Sequence, residues 1–77
     1  MPGHDEELDL RGIPCPANAA RATIQLAMMG DGEGLLLLVD DGEPVDNVVR
    51  TVEVAGHKIE AREREGEGWK VLVRVGG

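Results

Sequence analysis

Aromatic side chains are nearly missing from this 77-residue chain: it has no Phe and no Tyr, and Trp69 stands alone. A core built this way has no large rigid anchors. It must close through many Leu, Val, Ile and Ala contacts, each contributing on the order of 1–3 kcal/mol when fully buried. Basic charge is also scarce, with eight Lys and Arg against fifteen Asp and Glu, for a net charge of −7. A nucleic-acid binder presents a basic stripe, and single-strand binders add stacking aromatics, so direct nucleic-acid binding is not expected. The acid is unevenly placed: residues 1–49 hold ten acids and two bases, residues 50–77 five acids and six bases. Such an imbalance keeps a small domain dispersed and can steer partner proteins.

Three further absences narrow the class. One cysteine, Cys15, excludes an internal disulfide. The longest apolar run, Leu35–Val39, is far too short to span a bilayer. Met1–Asp9 is acidic where a secretory signal needs a basic start and an apolar core. The expectation is one domain over residues 1–77, with an ordered core from about 6 to 75, in the reducing cytoplasm and without membrane contact. Cys15, His4 and His57 lack the spacing of a metal site. Gly30–Gly34 is glycine-rich but follows a helical pattern and lacks the Lys-Ser/Thr of a phosphate loop. Neither a metal nor another cofactor is expected.

What is present reads as β-α-β-α-β-β. Glu6–Leu10 alternates toward Leu8 and Leu10 as a short strand, and Arg11–Pro14 breaks it. From Ala17 to Met29 no Gly or Pro intervenes, Ala20, Ile24, Ala27 and Met28 fall at helical spacing, and Gly30 is the stop. Leu35–Val39 reads as a strand buried on one face or on both. Asp41 or Glu43 is placed to start a second helix, which carries a valine stripe at 45, 48, 49 and 52 and ends near Ala55-Gly56. His57–Glu65 and Gly68–Val75 form a closing hairpin, with Ile59 and Ala61 alternating against Lys58, Glu60, Arg62 and Arg64. The economical packing is an α+β two-layer sandwich: a mixed four-stranded sheet with both helices on one face. Leu72 and part of Leu35–Val39 are then left uncovered on the other face, and such an apolar strip often marks a partner surface.

Cys15 carries the chemistry. Pro is well tolerated at the first helical position. If Pro16 occupies it, Cys15 is the N-cap, and its sulfur faces free backbone N–H groups and the positive end of the helix, both of which favour the thiolate. Ala17 and Asn18 then complete the supporting helix start, with the Asn18 backbone N–H as a donor to the sulfur. In the other arrangement Asn18 is itself the N-cap, the helix begins at Ala19, and Cys15 lies in the loop before it. Arg11 and Arg21 are candidate positive neighbours. A lone cysteine can also be a small buried hydrophobe.

Leu8-Asp9-Leu10-Arg11-Gly12-Ile13-Pro14-Cys15-Pro16 resembles the opening of the TusA/SirA/YedF family, L-D-x-R-G-x-x-C-P-x-P, and the resemblance runs on through both helices and the hairpin over about residues 7 to 75. It implies a two-layer sandwich and a sulfur carrier or sulfurtransferase. In that role Cys15 would accept sulfur as a persulfide from a donor of the cysteine desulfurase or rhodanese type and pass it to an acceptor protein. Related members serve tRNA thiolation, molybdenum-cofactor enzymes, sulfur oxidation or selenium metabolism. The departure is Asn18, where the family has its second proline. Two rivals stand beside this reading. One is a binding or regulatory module on the same fold. The other is a carrier that works through a Gly76-Gly77 thiocarboxylate, which the element order disfavours because such folds open with a hairpin.

Overall fold

The computed structural model describes residues 3–76. Its elements are β1 (Glu6–Asp9), α1 (Ala17–Ala27), β2 (Gly34–Asp40), α2 (Glu43–Val54), β3 (Lys58–Glu65) and β4 (Gly68–Arg74). They form one mixed sheet in the order β1-β2-β4-β3, with β1 parallel to β2 and the other two pairings antiparallel. The expected α+β sandwich is therefore present, with four strands and two helices in the expected order.

β2 is the centre of the sheet. Leu35, Leu37 and Val39 point to the helix side and join Leu10, Ala19, Ala22, Leu26, Val45, Val48, Val52, Val71, Val73 and Val75 in one buried cluster. The valine stripe of α2 is read correctly from sequence: Val45, Val48 and Val52 are buried and Val49 packs on the cluster from its edge. Valine is a middling helix former, so α2 is held by this packing more than by its own propensity. α2 begins at Glu43, whose carboxylate stands in the first turn as expected, but neither Asp41 nor Glu43 caps it. Gly42 is the N-cap without a side-chain bond, and Pro44 stands in the first turn.

α1 differs from its sequence reading. The buried face is Asn18, Ala19, Ala22 and Leu26, while Ala20, Ile24, Ala27 and Met28 are exposed, Ile24 by 60% and Met28 by 70%. An alanine-rich helix offers two apolar stripes. The one with the smaller side chains goes inward because it lets the helix backbone sit close to α2.

β3 also departs from simple alternation. Ile59 pairs with Val73 but Ala61 pairs with Leu72, so a bulge leaves Glu60 as the extra residue. Directly opposed residues share a face, so Ile59 stays with the core while Ala61 turns to the far face. Past the bulge, Arg62 and Arg64 lie on the helix side opposite Val71 and Trp69. The expected uncovered strip is closed as well: Leu36 is 5% and Leu72 0% exposed although no helix covers their face. The ion pairs Arg74–Glu60, at 2.6 Å, and Lys70–Glu65, at 3.0 Å, run along that face, and long charged side chains shield apolar surface with their stems.

Gly68 faces Asp40 across the β2–β4 ladder, and a Cβ there would stand 2.5 Å from the Val39 carbonyl oxygen. That oxygen is backbone in the central strand and cannot swing away. Gly68→Ala is expected to lower stability by about 1–3 kcal/mol, read from urea unfolding, as an overpacked site does.

Candidate functional site

The topology gathers one end of the sheet around Cys15. The carboxyl ends of β1 and β2, the starts of both helices and the β3–β4 hairpin all lie there, since Asp9 is level with Leu38 and Asp40 with Gly68. The loop from β1 to α1 is pinned at several points. Leu10 N–H donates to Leu38 O, Gly12 N–H to the Asp40 carboxylate at 2.7 Å, and Ile13 N–H to Leu10 O. Gly12 has φ +77°, a left-handed conformation that glycine adopts without strain, so this is where the chain turns toward the cysteine.

Cys15 is exposed, so it is not a buried hydrophobe. It is also not the N-cap. α1 begins at Ala17, Pro16 is the N-cap, and the Cys15–Pro16 peptide is cis. Asn18 is therefore the second helical residue, not the third and not the cap. Two of the first-turn backbone donors are already spent: Asn18 N–H donates to Pro14 O at 3.1 Å and Ala19 N–H to its neighbour's side chain, Asn18 Oδ1, at 2.6 Å. The donor to sulfur is instead the Asn18 side-chain amide, Nδ2 to Sγ at 3.3 Å. Sequence reasoning placed Asn18 at the site for the wrong atoms. The signal for the right ones was its place on the 18-19-22-26 stripe, since a polar side chain on a buried stripe needs a partner.

The candidate arginines go elsewhere. Arg11 wraps its guanidinium on Asp9, with Nε–Oδ1 2.9 Å and Nη2–Oδ2 2.8 Å, and its backbone N–H reaches the same carboxylate. These bonds hold the Asp9 carboxyl at about 2 against the usual 3.8, with the Arg11 side chain as the largest cause. Arg11 thus stabilises the turn before the cysteine. With Asp40 it also borders a shallow pocket against Glu65–Gly68, which Cys15 does not line. Arg21 is exposed and makes no ion pair among the described residues, and it lies on the outward stripe of α1. Ala17 is exposed on that stripe too, so the outward face from the cysteine onward reads Ala17, Ala20, Arg21, Ile24, Ala27, Met28.

A cluster that sequence reading missed stands on the same end of the fold. Arg62 and Arg64 lie 4.5 and 4.9 Å from the Trp69 ring centre, Trp69 Nε1 donates to Asp41 at 2.7 Å, and Arg62 and Arg64 pair with Asp46 and Asp41. The indole bond first, then the Arg64 guanidinium, keeps the Asp41 carboxyl below its usual range. Only the Glu60 bulge brings these groups together. His57 and Gly76 are at the opposite end of the sheet, where Gly76 N–H donates to His57 Nδ1 at 3.1 Å. Gly77 lies outside the described residues.

Fold and site together define a small two-layer α+β domain that presents a single exposed cysteine on the loop entering its first helix. Residues 6–75 match the family model described as Sulfurtransferase TusA, and the chain belongs to that family. It is also 35% identical over 71 residues to the "Putative sulfur carrier protein" of Archaeoglobus fulgidus, a match covering 91% of this chain and 81% of the relative.

The Asp9–Arg11 pair gives a pH signature. Its folded carboxyl value is depressed, so its contribution to stability is present above 3.8 and is lost as the pH falls toward about 2. In a carbon-detected NMR titration Asp9 should titrate near 2, and Arg11→Ala should return it toward 3.8.

Proposed function

We propose that this protein is a sulfur carrier that accepts sulfane sulfur as a persulfide on Cys15 and relays it to a partner protein. Family membership and the relative's name support the carrier role. The observation that carries the site is the exposed Cys15 sulfur, bonded by a buried amide at the start of α1. In loading, the Cys15 thiolate attacks the terminal sulfur of a persulfide on the donor, of cysteine desulfurase or rhodanese type. The donor's S–S bond breaks, the donor sulfur leaves as a thiolate, and a new bond forms at Sγ. In discharge a nucleophile of the acceptor attacks the same terminal sulfur and Cys15 leaves as the thiolate. One neutral sulfur atom moves in each step, so no external oxidant or reductant is needed. A lone cysteine cannot resolve its own persulfide as an internal disulfide, and a reducing compartment such as the cytoplasm suits it.

Incubation with a cysteine desulfurase and cysteine, followed by intact mass, is expected to add one sulfur to wild type and none to Cys15→Ala. Wild type that stays unloaded with several desulfurases and rhodaneses would favour the binding-module reading instead. A thiocarboxylate route would modify Gly77 and survive Cys15→Ala.

The outward face of α1 is the surface we assign to the donor. It is continuous with Cys15, apolar apart from Arg21, and unlike the outward face of α2, where Glu43, Asp46, Arg50 and Glu53 are exposed. The complementary donor surface is an apolar strip with a carboxylate opposite Arg21. Ile24→Asp combined with Met28→Asp should slow loading by the desulfurase about tenfold or more, as loss of central apolar contacts does. Alkylation of Cys15 by a small neutral reagent should stay unchanged, and equal loading rates would remove α1 from the interface.

A further inference from the structure

Among the described residues Asn18 is the one polar side chain in the buried set, with no exposed surface at all, beside Ala19, Ala22 and Leu26 on the inner stripe of α1. Amide nitrogen and oxygen are commonly interchangeable in a structure, and only the surrounding bonds decide between them. Here the backbone decides. Asn18 Oδ1 accepts the Ala19 N–H at 2.6 Å, and a flipped amide would set its NH2 against that N–H, donor to donor. The amide therefore presents N–H to Sγ, and an amide nitrogen has no lone pair with which to accept a thiol proton. Sulfur is the acceptor in this bond, and an anionic sulfur accepts more strongly than a neutral one.

Charge on Sγ changes through the cycle. It is present on the free thiolate, leaves Sγ when the persulfide forms, and returns when the persulfide is discharged. During loading a donor at Sγ holds electron density on the sulfur that must attack, so the bond does not favour that step. During discharge the same bond stabilises the departing thiolate, and a better leaving thiol leaves faster.

We propose that Asn18 is a second catalytic residue, a leaving-group stabiliser that acts chiefly on release of sulfur from Cys15. This rests on the sulfur-carrier reading and adds a direction to it: the site is built more for handing sulfur on than for seizing it.

The test uses the full chain loaded with inorganic polysulfide, which needs no donor protein, and follows cyanolysis. Cyanide attacks the terminal sulfur, the S–S bond breaks, thiocyanate forms and Cys15 leaves as the thiolate. Wild type is compared with Asn18→Leu, which removes the donor, and with Asn18→Asp, which keeps an oxygen for the Ala19 N–H but sets a carboxylate toward the sulfur. Unfolding midpoints establish that each variant is folded. Asn18→Leu should release sulfur about tenfold more slowly, the lower end for a hydrogen bond to a charged group, and Asn18→Asp at least as slowly. The rate of loading by polysulfide should fall by less than the rate of release in each. A folded Asn18→Asp that releases sulfur at the wild-type rate overturns the proposal, as does an equal loss in loading and release. Because polysulfide loads any accessible thiolate, this result is independent of whether a desulfurase loads the protein.

Discussion

Everything at the working end of this protein depends on β2 being paired on both sides. Its parallel neighbour β1 and antiparallel neighbour β4 fix which loops come together, since a parallel strand must end where β2 ends and an antiparallel one must begin there. The start of α1, the start of α2 and the tip of the hairpin are therefore neighbours by necessity. Asp40, the last residue of β2, then takes the Gly12 N–H and fastens the cysteine loop to the strand end. An exposed nucleophile set on an unfastened loop would lose its orientation, and here the backbone supplies it.

The lack of aromatic bulk shapes the packing in a related way. With Trp69 at the edge of the buried cluster, the fully buried apolar side chains between sheet and helices are Leu, Val and Ala, with Ile13, Met29 and Ile59 packed at the margin. Small side chains on the inner stripe of α1 bring that helix close, and the position nearest the cysteine on that stripe is polar. A buried Asn is costly unless its nitrogen and its oxygen both find partners, and Asn18 meets that demand with the two groups that matter locally, the Ala19 N–H and the sulfur. The same bond that settles a burial problem thus reaches the reacting atom.

Much of this was legible in the sequence, for definite reasons. The element order followed from glycine and proline punctuation, and the buried face of α2 from a single apolar stripe with charged residues elsewhere. The cysteine was marked by the prolines around it and by the family opening. α1 was not legible to the same degree: with Ala at 17, 19, 20, 22 and 27, two stripes fit a 3.6-residue period, and only the sheet decides between them. The Glu60 bulge carries no signal of its own in a strand of alternating charge, so the arginine–tryptophan cluster was invisible. The Asn18 side-chain bond was missed because it depends on the helix starting one residue later than the proline suggested.

The outward stripe of α1 has a consequence for the molecule in bulk. Two of the largest aliphatic side chains stand in water on a chain of −7 net charge. Like charge holds copies apart over roughly 8–10 Å in physiological salt and over shorter distances as salt rises. The acidic excess then acts as a colloidal guard on a sticky helix, and ionic strength is the dial: concentrated salt thins the guard while leaving the stickiness in place.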